Sequence, residues 1–228
     1  FPNLGFGAIE VGPVTEFPSE PDSAACLSET QDSLVLPEHA ETIGLNAAKE
    51  KLTNTRAVPI LIRLKEPLII AEHLKDAGDI FIIEIDSFES LNDLTHIKMV
   101  LENKPVLLAI RHSMVADNLL KLKSASQFAD GFMIEEDRMV IAEKQVLPIQ
   151  QTDGMVHALN LIKNEIDLPV ITSGGVAQPA DALVLFEAGA ELVFLSGGYV
   201  ASGPGLPKRI NEALMDELGG EQKVLPGW

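Results

Sequence analysis

The residues best placed to do chemistry are paired glycines at the ends of two apolar runs. Gly174 and Gly175 follow Pro169 to Ser173, and Ser196, Gly197 and Gly198 close the run that begins at Glu191. A glycine pair between a strand and a helix lets the backbone approach an anion closely while several N–H groups converge on it, so both segments are candidate phosphate cradles. The same glycines could equally make tight turns. Carboxylates at other strand ends, Glu84 and Glu136, could perform acid–base work or be solvated surface groups.

Composition narrows the classes. The 228 residues are 46% hydrophobic, enough for one domain with a sizeable core. Lys and Arg number 17 against 34 Asp and Glu, and the resulting net charge of −17 opposes nucleic acid and anionic lipid. With one cysteine, Cys26, no internal disulfide can form. His39, His73, His96, His112 and His157 lack the one-turn spacing that lets two imidazoles share a metal, so no metal site is expected. No stretch approaches the ~20 apolar residues of a membrane span, and the start carries no secretory signal.

Seven short apolar, β-branched runs alternate with amphipathic stretches, the pattern of parallel strands joined by covering helices. They are Phe6 to Val14, Val58 to Leu64, Ile80 to Asp86, Pro105 to Ile110, Gly131 to Glu135, Pro169 to Ser173 and Glu191 to Ser196. Thr152 can cap a helix with Met155, Leu159, Ile162 and Ile166 on one face. The next helix has Pro179 at its start and Gly189 at its end. Residues 16–37 carry three prolines and many polar groups without a hydrophobic period, and read as a surface loop of a single domain spanning residues 1–228. Seven strands in a chain shorter than the ~250 residues usual for an eight-strand (β/α) barrel predict a TIM-type barrel lacking its first strand–helix unit. The unpaired edges this would leave predict a partner chain or a preceding segment in the gap.

Three stretches carry a family resemblance. Leu4-Gly5-Phe6-Gly7-Ala8-Ile9-Glu10-Val11-Gly12-Pro13-Val14-Thr15 resembles the second barrel strand of dihydroorotate dehydrogenases. Leu36-Pro37-Glu38 with Ile43-Gly44-Leu45-Asn46 is similar to a segment of their membrane-associated, ubiquinone-using class. Near the other end, Ile171-Thr172-Ser173-Gly174-Gly175-Val176, Asp181-Ala182-Leu183, Ala188-Gly189-Ala190 and Gly203-Pro204 are similar to the family's flavin-phosphate segment. The resemblance implies flavin mononucleotide (FMN) across the C-terminal mouth of the barrel, its phosphate at Gly174, Gly175, Ser196 and Gly197. It further implies Ser87 as the proton-removing base, and a mitochondrial or bacterial-membrane association.

Other positions depart from the family pattern. Glu41, Glu84 and Glu89 stand where the family has asparagines, and Glu136-Asp137 replace an asparagine–threonine pair. Ile62 takes the place of an asparagine, Ala109 that of a lysine, Pro13 that of a small polar residue, and Lys65 matches a family lysine only in a shifted register. An ionised carboxylate only accepts hydrogen bonds, so these exchanges remove donors that an anionic pyrimidine needs. The expectation is therefore a catalytically degenerate barrel kept as a structural or interaction subunit, with a flavin phosphate site still possible. The alternative is an active FMN-dependent enzyme oxidising dihydroorotate to orotate in pyrimidine biosynthesis.

Overall fold

The β-branched runs become strands and the amphipathic stretches between them become helices. In the computed structural model, the described residues are 4–21, 24–28, 30, 32–37, 42–52, 58–87, 89–102, 104–141 and 144–220. The chain begins with β1 (Ile9–Thr15), β2 (Cys26–Leu27), β3 (Ser33–Pro37), β4 (Ile43–Gly44) and α1 (Leu45–Leu52). It then alternates β5 (Ile60–Leu64), α2 (Pro67–Leu74), β6 (Ile80–Glu84), α3 (Leu91–Leu101), β7 (Val106–Arg111), α4 (Val115–Ala125) and β8 (Gly131–Glu135). The hairpin β9 (Met139–Ile141) and β10 (Lys144–Pro148) follows, then α5 (Thr152–Glu165), β11 (Val170–Ser173), α6 (Pro179–Glu187), β12 (Val193–Phe194), α7 (Gly197–Ser202) and α8 (Leu206–Gly220).

Eight parallel strands in the order β12-β11-β8-β7-β6-β5-β1-β4 form a curled, open α/β barrel sheet. Every residue of β5 is buried, as expected where a parallel sheet is covered on both faces. Alternation along the strands sorts the side chains into two layers. Ile62, Leu64, Phe81, Ile83, Leu108 and Phe132 pack between sheet and helices, whereas Leu61, Ile82, Leu107, Ala109, Met133 and Ile171 pack together on the inner face.

Three expectations are corrected by this architecture. The sheet has eight strands rather than seven, because the two residues of β4 pair parallel with Val14 and Thr15 and partly cover the edge that β1 would expose. Residues 16–37 are not a structureless loop: β2 and β3 join β9 and β10 in a four-stranded antiparallel sheet, with β3 and β10 paired from Lys144↔Pro37 to Pro148↔Ser33. At the start of α5, Gln151 takes the cap position without a side-chain bond to the helix's first turn, and the Thr152 hydroxyl donates to the Gly175 carbonyl at 3.5 Å.

The helices otherwise follow their sequence signals. Met155, Ala158, Leu159 and Ile162 form the buried face of α5. In α6, Pro179 lies in the first turn, Asp181 accepts from the backbone N–H groups of Ala177 and Gln178, and Gly189 follows with φ of +99°. The sheet's two outer strands, β4 and β12, are only two residues long. Across the opening, the ring of Phe6 meets Tyr199 edge to face at 5.5 Å and Asn211 donates to the Gly5 carbonyl at 2.9 Å, tying the segment before β1 to α7 and α8. Among the described residues no helix is long and apolar enough to cross a membrane, and no group of His, Cys, Asp and Glu could hold a metal ion.

Candidate functional site

The inner face of a parallel barrel sheet delivers alternate side chains to the mouth at the C-terminal ends of its strands. Continuing inward from Leu61, Ile82 and Met133, the next alternate residues are Arg63 on β5, Glu84 on β6 and Glu135 on β8. Arg63 is 7% exposed. Its Nε donates to Glu10 Oε1 at 2.6 Å, its Nη2 makes a short hydrogen bond to Glu135 Oε1, and its Nη1 lies 3.6 Å from Glu84 Oε1. Nη2 also points at the Met133 sulfur, at 3.4 Å. Lys65 Nζ reaches Glu84 Oε2 at 3.2 Å from the solvent side. Two cations therefore hold three carboxylates, leaving one net negative charge at the centre of the mouth.

The protonation states follow from this packing. Burial works against the Arg63 cation, but the carboxylates of Glu135 and Glu10 outweigh it and push its pKa above the ordinary value. Burial likewise works against ionised Glu84, yet Lys65 and Arg63 bring its pKa below the usual carboxylate value. Both shifts favour the charged forms of Arg63 and Glu84, and the cluster satisfies its hydrogen bonds from within.

The second centre lies where β8, β11 and β12 end. Glu136 is 5% exposed, directly after β8, and its N–H donates to the Ser173 carbonyl at 3.0 Å. One carboxylate oxygen accepts the Gly175 N–H at 2.8 Å, and the other accepts a short hydrogen bond from the Ser196 hydroxyl. Gly174 (φ +85°) and Gly175 (φ +71°) take left-handed conformations that favour glycine, and a Cβ on Gly174 would lie 2.0 Å from the Glu136 carboxylate. Behind this loop, Gln151 ties Asp137 to Pro148 through its carboxamide, and its Oε1 accepts from His112 Nε2 at 2.8 Å, fixing the chain that carries Glu136.

Burial raises the Glu136 pKa, and the Ser196 and Gly175 hydrogen bonds offset it only in part; Arg138 also lowers it and Glu135 raises it. A carboxyl whose folded pKa is raised adds stability that is present below its unfolded value and lost as pH rises through the folded value. Glu136→Gln keeps the shape and both bonding positions without the charge. Thermal unfolding across pH is therefore expected to show wild type losing ground to Glu136→Gln from acid to neutral pH; parallel curves would contradict the raised pKa.

The expected site residues are only partly brought together. Gly174, Gly175 and Ser196 meet at Glu136, whereas Gly197 is buried beside them in ordinary contact, 3.7 Å from Leu34 and Leu147 at its would-be Cβ. Glu84 lies in the mouth. Glu89 is exposed in the turn before α3 and joins no described ion pair, so it is not part of the mouth cluster. Glu41 lies outside the described residues. Ser87 is half-buried in the turn after β6, its N–H bonded to the Glu84 carbonyl at 2.9 Å. Ile62 packs against the helices rather than the mouth, and Ala109 sits on the inner face. Sequence reasoning did not single out Arg63, Glu10 or Glu135; the usable signal was a lone cation within a fully buried five-residue strand.

Comparison with known proteins agrees with this architecture. The chain is 25% identical to a dihydroorotate dehydrogenase (quinone) of Synechococcus sp. (strain JA-2-3B'a(2-13)), covering 94% of this chain and 71% of the relative. It is 26% identical to the Nostoc punctiforme protein of the same name, covering 95% and 72%. The chain is a divergent relative of the dihydroorotate dehydrogenases. Among solved structures, ligand-free dihydroorotate dehydrogenase from Eimeria tenella superposes with a TM-score of 0.73 at 13% identity, over 96% of this chain and 79% of that one. The Eimeria enzyme in complex with ferulenol gives 0.71 at 13% identity, over 95% and 76%. No family model matches the chain. The dihydroorotate-dehydrogenase-like barrel thus keeps its relatives' fold while filling its mouth with its own charges.

Proposed function

We propose that this dihydroorotate-dehydrogenase-like barrel has lost flavin redox chemistry and serves as a structural or interaction subunit. The observation that carries this reading is Arg63, buried among Glu10, Glu84 and Glu135 on the inner face of the sheet. An anionic pyrimidine entering the mouth would meet three carboxylates whose two cations are already engaged, and would have to break these ion pairs, against one net negative charge, to gain any donor.

The residues present do not fit FMN in this arrangement. The Gly175 N–H and Ser196 hydroxyl that would serve its phosphate already serve Glu136, and the Glu136 carboxylate lies against Gly174. Ala109 offers no charge to a reduced flavin. The short outer strands β4 and β12 are where a partner or a preceding segment would complete the barrel.

An active FMN-dependent oxidation of dihydroorotate to orotate remains the competing reading, favoured by the names of the relatives and by Ser87 at the end of β6. The two are separated by the absorption spectrum of the natively purified protein, together with dihydroorotate-dependent reduction of a quinone after addition of FMN. The expected outcome is no flavin band and no turnover. A stoichiometric flavin band with turnover abolished by Ser87→Ala would establish the competing reading instead.

A further inference from the structure

We infer that Glu136 is an intramolecular anion closing an oxyanion cradle, and that the cradle accepts inorganic phosphate or a phosphate monoester once this carboxylate is removed. The inference deepens the proposed loss of flavin chemistry and rests on it.

Glu136 differs from the other buried and half-buried carboxylates in what holds it. Glu10 and Glu135 are paired with the Arg63 cation, and Asp181 caps the start of α6. Glu136 forms none of the described ion pairs. Its two oxygens are taken up by neutral donors from two separate loops, the Gly175 N–H after β11 and the Ser196 hydroxyl after β12. Converging neutral donors of this kind hold anions without supplying a countercharge, as in glycine-rich phosphate loops. Gly174 and Gly175 provide the open backbone this requires, with positive φ at both and no side chain on the face where the carboxylate lies.

A phosphate cannot share this space with Glu136. It would need the same donors, and it would bring a like charge into contact with a buried carboxylate. Removing the carboxylate frees both donors and the volume in front of Gly174. If Glu136 were only a tether between strand ends, removing it would weaken the fold and bind nothing.

The test uses thermal unfolding of the whole chain with increasing inorganic phosphate, against sodium chloride at matched ionic strength. Wild type, Glu136→Asn and Glu136→Ala are compared, with circular dichroism confirming the fold. The expected result is no phosphate-specific shift in wild type and a saturable rise in midpoint for Glu136→Asn, with apparent affinity at least about tenfold above wild type. Glu136→Ala, which likewise clears the space in front of Gly174 and serves where Asn does not fold, should shift in the same direction. Adding Ser196→Ala to either variant should abolish the gain. Equal shifts in wild type and variants, or none in any variant that folds, would overturn the inference. A flavin-free wild type with silent variants sinks this inference alone, whereas flavin in the wild type sinks the functional reading beneath it.

Discussion

Arg63→Met lowers the midpoint of thermal unfolding by on the order of 10 °C. The guanidinium is buried and faces three carboxylates, and removing one partner of a buried ion pair typically costs about 3–5 kcal/mol because the other charges stay behind unpaired. For a domain of this size each kcal/mol moves the midpoint by roughly 2–4 °C. Glu84 contributes less than Glu10 or Glu135, since its side chain is 35% exposed and solvent screens it. Neutralising the stranded groups should restore much of the loss: Arg63→Met combined with Glu10→Gln and Glu135→Gln is expected to recover most of the midpoint. Calorimetry of the single and triple variants checks both statements, and a single variant within about 2 °C of wild type would show that the cluster is not formed.

Gly198→Ala is expected to destabilise by about 3 kcal/mol, the upper part of the range for forced overpacking. Its Cβ would lie 1.6 Å from the Val176 carbonyl oxygen, a contact between two backbones that no rotamer change relieves. The loops after β11 and β12 are pressed together at this point, and the same approach brings Ser196 to Glu136. Gly197→Ala is the control: its Cβ meets nothing closer than 3.7 Å and it sits in the first turn of α7, so a change within about 0.5 kcal/mol is expected. Denaturant unfolding of both variants distinguishes them, and equal effects would contradict the packing described.

The elements that position the mouth were legible because each strand is a short apolar run flanked by turn residues. Helix α6 was legible for a different reason, since Pro179 and Gly189 are conformational constraints that act locally. The antiparallel sheet was not. Met139, Val140 and Ile141 are all exposed, so β9 has no alternation to read, and β3 meets β10 only after more than half the barrel has intervened in sequence. The departures at Glu84 and Glu136 were visible as residue types, but their partners were not. Glu10, Arg63 and Glu135 come together through strand register, which a linear reading of separate apolar runs leaves undetermined. Glu89 shows the converse: it shares the acidic character of the cluster, yet the turn after β6 leaves it in solvent.

On the proposed reading, the charged side chains of Glu10, Arg63, Glu84 and Glu135 that fill the mouth leave FMN no place to bind. Titrating the purified wild-type chain into FMN while following flavin fluorescence and calorimetric heat tests this directly. No saturable quenching and no binding heat are expected up to millimolar FMN. Saturable binding at micromolar concentration, with a flavin spectrum that survives gel filtration, would contradict it.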